Sequence, residues 1–322
     1  MSRPVVGVIG MGFVGGAVFR GFSSFTEVRG FDIDPRRSTH SLREVCDSDV
    51  VFLCLPTPMP APEGGPTVLD ALEETCAKLA EMLSFESTVF VLKSTVPIGT
   101  TQRLSDAYGL RLVHNPEFLT AANANIDFIT PSRIVLGAET DQVTAYVMNP
   151  AECGEHVYYR RVVELYQRRF PGVPIYHMTR EESEAVKYIA NCFLAVKVAF
   201  FNEMGMGMEC SSDEFQWGRV MEAVLADGRI GRTHYQVPGD DGMPGFGGTC
   251  FPKDISSLIE QIRGFGGIEP RILEAAWTQN KHIRPGMDWF QKEQSDDSPQ
   301  QRRDVLTYAG DGGGGGGDST QN

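Results

Sequence analysis

The stretch GFGGTCFPKD, residues 245 to 254, sets a single cysteine, Cys250, between a glycine-rich loop and what reads as the opening turn of a helix. Pro252 suits the first helical turn, so Cys250 falls at or just before the N-cap. There the exposed backbone N–H groups, the positive end of the helix dipole and Lys253 all favour a thiolate, and the glycines leave room for a substrate. An ordinary thiol is mostly un-ionised at neutral pH, so this placement would activate it as a nucleophile. A small buried hydrophobe behind a glycine turn accounts for the same residues, and position alone leaves both readings open.

The second constellation is GMGFVG, Gly10, Met11, Gly12, Phe13, Val14 and Gly15, set between an apolar strand and a helix. In such a turn Gly10 permits the tight bend, Gly12 lets the backbone approach a pyrophosphate and Gly15 lets the helix pack closely, with the helix N-terminus facing the anion. The spacing alone is a weak signal, and a turn cluster in an unrelated α/β sheet would also produce it. Here, however, Asp32 closes the next strand about twenty residues on, where a carboxylate accepts from a ribose 2′-hydroxyl and repels a 2′-phosphate. The pattern predicts a dinucleotide site that prefers NAD to NADP, with Arg36 and Arg37 close by. Pro56 and Thr57 of FLCLPTP follow the third strand at the carboxyl edge, where α/β sheets bind ligands, and are candidate cofactor contacts.

These residues need elements to hold them. VVGVIG, EVRGFD, VVFLCLP, TVFVLK, RLVHN and SRIVLG read as strands, with GGAVFRGF, VLDALEETCAKLAEML and TTQRLSDAY as helices between them. The alternation implies βαβ crossovers and a Rossmann-type α/β fold, a parallel sheet with helices on both faces. After Thr179 the pattern turns helical. About thirty residues from Arg180 to Cys210 are apolar nearly all round in their middle, which demands a core or a subunit interface. A second helix, SDEFQWGRVMEAVLA, opens on a Ser/Asp cap signal, and a Gly/Pro-rich loop leads on to Cys250. The organisation expected is a dinucleotide-binding domain over residues 1–178, a helical central domain with the cysteine loop over 179–285, and a polar, flexible tail over 286–322 that contains six consecutive glycines.

Composition narrows the function classes. With 322 residues, 41% of them hydrophobic, the chain can bury a sizeable core. A formal net charge of -13 argues against a nucleic-acid partner, because phosphate backbones are bound by basic surfaces. No signal-peptide pattern opens the sequence and no run nears the roughly 18 apolar residues of a membrane span, so a cytoplasmic protein is expected. Seven cysteines, without CxxC spacing, fit neither a disulfide framework nor a zinc site; Cys46, Cys54, Cys76 and Cys192 sit in apolar or helical context as inert thiols. The six histidines show no HxxxH or HxH spacing, and no metal is expected.

GMGFVG, LPTP, KSTVPIGTT, NPEFL, KYIANCFLAVKVAFFNE, DGRIG and GFGGTCFPKD occur in the order and approximate spacing of the nucleotide-sugar 6-dehydrogenases, and residues 4 to 285 resemble that family. The resemblance implies oxidation of a sugar C6 alcohol to the carboxylate, with NAD consumed twice and a cysteine holding the intermediate. On that pattern Cys250 forms a thiohemiacetal and then a thioester. Lys187 and Asn191, at i and i+4 on one helix face, would stabilise the oxyanion, and Lys187 would take the first alcohol proton if burial lowers its pKa. Asp254, Glu117 and Thr95 would position the water that hydrolyses the thioester. Ser94, Thr95 and Lys253, with Arg37, would join the cofactor contacts. Glu117, Phe118 and Leu119 of NPEFL, together with Gly245, Phe246, Gly247 and Gly248, would line the nucleotide-sugar substrate. Arg229 of DGRIG would reach a neighbouring subunit's substrate, which makes a homodimer or larger homo-oligomer the expected assembly. Without the resemblance, Asp254 reads as a first-turn carboxylate complementing the helix dipole, and Thr95 as a strand-end hydroxyl bonded to backbone.

The chain also departs from the family pattern. The second Rossmann-like domain that grips the uridine diphosphate is not found after residue 285, so weak nucleotide affinity is expected. Ala121 stands where many members have a glutamate, the stretch from Asp32 to DVVFLCLP is short, and THYQVPGDDGMP lengthens the loop before Cys250. Two other functions fit parts of the sequence: a two-electron dehydrogenase of a smaller hydroxy acid, which needs no covalent holder, and a module that depends on a partner for its nucleotide grip.

Overall fold

The computed structural model describes residues 3–82, 88–120, 123–154, 156–209 and 214–290. Ala121, the cap expected at Ser212 and Asp213, and the tail after residue 290 lie outside them. The first part of the chain alternates β1 (Val6–Ile9), α1 (Phe13–Ser23), β2 (Val28–Phe31), α2 (Leu42–Cys46), β3 (Val50–Leu53), α3 (Asp70–Met82), β4 (Val89–Leu92), α4 (Thr100–Tyr108) and β5 (Leu112–His114). It continues through α5 (Ala124–Ile129), β6 (Ile134–Ala138), α6 (Thr140–Met148), α7 (Tyr159–Arg169) and β7 (Ile175–Thr179). Helices follow: α8 (Arg180–Glu209), α9 (Trp217–Val224), α10 (Phe251–Phe265) and α11 (Arg271–Ile283).

The seven strands form one sheet in the order β2-β1-β3-β4-β5-β6-β7. Every residue of β1, β3 and β4 is buried, because helices cover both faces. Alternate side chains serve opposite cores: Val8, Phe52, Val91 and Val113 meet Phe22 of α1 and Tyr166 of α7, while Leu53, Phe90, Leu92 and Leu112 meet Leu72 of α3 and Leu104 of α4. β1 to β5 are parallel, as expected. β6 pairs antiparallel with β5, and β7 runs parallel to β6, so the expected parallel sheet is mostly parallel, with one reversed pairing. The reason is local: the segment between β5 and β6 holds only the short α5, so the chain stays at the carboxyl edge and β6 comes back from beyond the end of β5, with His114 opposite Gly137.

α8 is the beam that joins the sheet to the site. Its buried Arg180 donates to the Leu112 carbonyl at 2.8 and 3.0 Å, Ser183 lies against His114 at 2.8 Å, and Lys187 reaches Glu117, so the helix runs alongside β5 towards the carboxyl edge. Gly137 makes the close approach possible, since a Cβ there would stand 2.5 Å from that of Ser183. Beyond the sheet, Tyr188, Cys192, Ala195 and Ala199 of α8 pack with Ile255, Leu258 and Ile259 of α10 and Trp277 of α11 in a second core. Among the described residues no helix is long and apolar enough to cross a membrane.

Candidate active site

At the β1–α1 turn Gly10 has φ 87°, and a Cβ there would meet the Cys54 carbonyl at 2.4 Å; one on Gly15 would lie 1.8 Å from the Gly10 carbonyl. Both positions are glycine for reasons internal to the fold. Gly12, the N-cap of α1, differs: a Cβ on it would touch nothing within 4 Å, and no side chain caps the helix. An open glycine before an uncapped helix end offers N–H donors and space to an anion, so these residues fit a dinucleotide pyrophosphate. Phe13 and Val14 start α1 half-buried against the core.

Asp32 is held at the rim of that turn. It accepts from Met11 N–H at 2.7 Å and from Asp34 N–H at 2.9 Å, and its remaining lone pairs can serve a ribose. Arg36 pairs with Asp34 at 2.7 Å and Arg37 approaches the same carboxylate at 3.8 Å, so both cations are drawn to Asp34. Hydrogen bonds from Arg36 hold the Asp34 carboxyl down at about 2. Along the same edge Thr57 donates to the Thr95 carbonyl at 2.8 Å, and Ser94 donates to the Leu55 carbonyl at 2.7 Å, fastening the ends of β3 and β4 together. Pro56 is exposed beside them and Thr95 half-buried. Thr57 is thus joined to Thr95 and Ser94 to Leu55, and among the described residues no hydrogen bond ties Thr57, Ser94 or Thr95 to the cysteine cluster.

Cys250 is the N-cap of α10, with Pro252 in the first turn as its spacing predicts; its carbonyl accepts the first helical bond, from Asp254 N–H at 2.9 Å, and the residue is exposed. Lys187 Nζ donates to Glu117 Oε2 at 2.9 Å and to the Glu117 carbonyl at 2.6 Å, and lies 5.5 Å from the centre of the Phe118 ring. Leu119 N–H donates to Glu117 Oε1 at 3.0 Å. Asn191 donates to Asp254 Oδ2 at 2.6 Å and Lys253 to Asp254 Oδ1 at 2.6 Å. Lys187, Asn191, Glu117 and Asp254 are all buried. The structure thus collects Cys250, Lys187, Asn191, Glu117, Lys253 and Asp254 from α8, α10 and the loop after β5.

The charges correct two expectations. Although Cys250 as a residue is exposed, the protein crowded around its sulfur pushes the thiol above its ordinary value and Glu117 adds to this; Lys187 pulls it down, Asp254 raises it and Lys253 opposes. The resting thiol is therefore protonated, because each cation already holds a carboxylate of its own. Burial works to lower Lys187, but Glu117, Asp254 and Cys250 outweigh it and hold the ammonium above its usual value. Lys187 is a cation suited to an oxyanion, not the lowered base the resemblance allowed. Lys253 behaves alike: burial opposes its charge and Asp254 more than restores it. Its ammonium is held on Asp254, at 2.6 Å from Oδ1. Elsewhere burial pushes Cys46 to about 11 and Cys54 and Cys76 to about 12, in keeping with inert thiols.

The loop before Cys250 also departs from expectation. Phe246 is buried and stacks on Trp277 with ring centroids 6.2 Å apart, so its side chain belongs to the second core. A Cβ on Gly245 would meet Asn280 Oδ1 at 2.4 Å and one on Gly247 would meet Arg284 Nη2 at 2.5 Å; only Gly248, at φ 72°, has open space. The absent side chains of Gly245 and Gly247 make room for Asn280 and Arg284. Arg229 is not brought to Cys250 within the chain; it pairs with its neighbour Asp227 at 2.5 Å on the surface. One buried group escaped the sequence reading altogether: Lys93, at the end of β4, donates to Asn115 Oδ1 at 2.9 Å, and burial lowers it to about 8. The available signal was a lysine closing an otherwise apolar strand.

A glycine turn at the carboxyl edge of a mostly parallel sheet, followed by helices that carry a cysteine at an N-cap position, defines a Rossmann-type α/β fold with a helical module. The family profile of the UDP-glucose/GDP-mannose dehydrogenase NAD binding domain matches residues 36–160, and that of the family's central domain matches residues 181–282. The chain belongs to the UDP-glucose/GDP-mannose dehydrogenase family. It is 33% identical over 259 residues to a UDP-glucose 6-dehydrogenase of Haloferax volcanii, a match covering 76% of this chain and 54% of that protein. To the UDP-glucose 6-dehydrogenase of Pseudomonas aeruginosa it is 33% identical over 254 residues, covering 75% and 51%. The chain spans about half the length of these two relatives. A solved UDP-glucose dehydrogenase from the hyperthermophilic archaeon Pyrobaculum islandicum superposes with a TM-score of 0.70 at 27% identity, over 87% of this chain and 68% of that one. A 3-hydroxyisobutyrate dehydrogenase from Mycobacterium tuberculosis shares the fold alone, with a TM-score of 0.62 at 16% identity over 88% of this chain and 94% of that one.

Proposed function

We propose that this chain oxidises the C6 primary alcohol of a nucleotide sugar, UDP-glucose foremost, to the carboxylate through a thioester on Cys250. Residues 1–178 would hold the cofactor and residues 179–285 supply the cysteine. The observation that carries this reading is the convergence of Cys250, Lys187, Asn191, Glu117 and Asp254, because a simple hydride transfer requires no thiol among paired charges. The open Gly12, Asp32 and the Thr57–Ser94–Thr95 edge are the residues that would hold NAD, which when bound supplies the hydride acceptor for both oxidations.

In each oxidation the hydroxyl proton leaves to solvent water as the hydride leaves the carbon, and the chain's own residues handle the covalent steps between. The Cys250 sulfur adds to the aldehyde carbon, and the thiol proton passes to the carbonyl oxygen, so a protonated resting thiol suits the addition. The Lys187 ammonium and the Asn191 amide face that oxygen and stabilise its developing charge. Asp254, oriented by Asn191 and Lys253, and Glu117, oriented by Lys187 and Leu119, position the water that adds to the thioester carbon; the carbon–sulfur bond breaks and the thiol recovers a proton. Burial of these groups excludes competing solvent.

A homodimer would complete the site. Ile189, Phe193 and Phe200 project from one face of α8 with 65%, 64% and 55% of their surface exposed, and Arg229 points into solvent from its loop. Covering that stripe with a second copy would bury it and bring Arg229 towards the partner's substrate.

The test is a panel of UDP- and GDP-sugars with NAD, counting NADH formed and identifying the product. Two NADH per sugar with a carboxylate product is expected; one NADH with free aldehyde would overturn the covalent chemistry, and no turnover of any sugar would overturn the reading. Sedimentation is expected to show a dimer, and an active monomer would remove the assembly proposal.

A further inference from the structure

The loop that carries Cys250 is shaped on three side chains with at most 1% of their surface exposed: Asn202 of α8, Asn280 of α11 and Arg284, which caps the end of α11. Asn202 Oδ1 accepts from Gly245 N–H at 2.7 Å, and Asn280 grips the next residue twice, accepting from Phe246 N–H at 2.7 Å and donating to its carbonyl at 2.9 Å. Arg284 then gathers what lies on either side. Nη1 reaches the Pro244 and Gly245 carbonyls at 3.4 and 3.5 Å, Nη2 donates to Asp241 Oδ2 at 2.7 Å and to Asp288 Oδ2 at 2.9 Å, and Nε donates to Asp288 Oδ1 at 3.0 Å.

A planar guanidinium can satisfy so many acceptors at once because its donors are held in one fixed fork, which a lysine cannot reproduce. The two carboxylates belong to different parts of the chain. Asp241 lies in the lengthened stretch before the cysteine loop. Asp288 lies in the segment that leaves α11, which is itself anchored: Trp289 is buried, stands 5.3 Å from the Trp277 ring and donates to the Pro62 carbonyl, in the loop after β3, at 3.1 Å. The same guanidinium therefore touches the cysteine loop on one side and, through Asp288 and Trp289, the sheet side of the molecule on the other.

We propose that Arg284 is a positioning residue for Cys250: the Asp241–Arg284–Asp288 latch fixes the glycine loop from which the cysteine projects, and so decides whether the aldehyde is captured or escapes. The inference rests on the cysteine chemistry proposed above. Capture and escape compete, and a displacement of about 1 Å in a reacting group costs on the order of a hundredfold in rate, so a loosened loop shifts the outcome before it abolishes the first oxidation.

The test uses Asp241→Asn and Asp288→Asn, which keep shape at two partly exposed positions, and Arg284→Lys, which keeps charge without the fork. Two readouts are taken on the whole chain: NADH and free aldehyde per sugar consumed, and the rate at which iodoacetamide alkylates Cys250 without substrate, followed by peptide mass mapping. Asp241→Asn is expected to release aldehyde, lower carboxylate formation about tenfold at unchanged NAD affinity, and speed Cys250 alkylation severalfold. Arg284→Lys is expected to act in the same direction, and Asp288→Asn more weakly. Lowered thermal stability with unchanged alkylation and unchanged aldehyde yield in all three would assign the latch a purely structural role and overturn the proposal. If the parent chain turns over no sugar, the functional reading fails, and the alkylation rates alone decide the latch.

Discussion

The molecule contains two glycine-rich turns that lead into helix N-termini, and they do opposite work. At β1–α1 two glycines are required by the backbone around them and the third, Gly12, opens onto space with the helix end uncapped. Before α10, Gly245 and Gly247 face Asn280 and Arg284, and the N-cap position is held by Cys250, whose side chain makes no capping bond and is left to project from the turn. On the proposed function the first turn would receive an anion from outside. The second is built to be rigid and to present a sulfur. A glycine pattern therefore states that side chains are excluded, and only the surroundings say whether protein or ligand takes the space.

Replacing the group that the second turn presents should give the largest effect. Cys250→Ser is expected to reduce carboxylate formation by about a thousandfold or more, because the hydroxyl is far less acidic than the thiol, while NAD binding measured by titration stays unchanged. A parallel loss of NAD affinity would show that the two turns are not independent.

The next pair separates glycines within the first turn. Gly15→Ala places a Cβ 1.8 Å from the Gly10 carbonyl and is expected to cost about 3 kcal/mol or more in thermal or denaturant unfolding. Gly12→Ala meets no protein atom within 4 Å, so about 1 kcal/mol or less of stability is expected to go, with NAD bound roughly tenfold more weakly. Equal stability losses in both variants would remove the distinction. A comparable effect, about tenfold in the ratio of NAD to NADP use, is expected from Asp32→Ala, which deletes the ribose acceptor and its repulsion of a 2′-phosphate. If the unaltered chain already uses both cofactors equally, Arg36 and Arg37 govern the choice despite their pairing with Asp34.

β1 to β6, α1, α3, α4, α8, α9 and α10 were legible because apolar runs and helical periodicity survive in a single chain, whereas α6, α7 and α11 were not read as elements. α2 and α5 were missed as elements of five and six residues, and β7 because an edge strand with half its surface wet shows no apolar run. The reversal at β6 follows from how little helix α5 provides, which composition does not record. In the site, Pro252 placed Cys250 at its N-cap correctly. The charge pairing was illegible, since Lys187 and Glu117 lie 70 residues apart and meet only because α8 is laid along β5. Arg284 and Lys93 were passed over because a buried cation and a surface one are written with the same letter.

The smallest effect tests that pairing directly. In the resting site Glu117 opposes the Cys250 thiolate and Lys187 supports it, and burial tips the balance towards the protonated thiol. Glu117→Gln removes a negative charge while its backbone carbonyl still accepts from Lys187, so the thiol should ionise more readily: alkylation of Cys250 below its midpoint should be roughly threefold faster, and the midpoint should move to lower pH. Lys187→Met removes the supporting cation, so alkylation should slow by a similar factor and the midpoint should rise. The signs are opposite because both residues act on the same anion, and the effects are modest because each removal also leaves the other charge unpaired in a buried site. Alkylation profiles of the two variants that move in the same direction would mean that the charges act through loop geometry and not through their field at the sulfur.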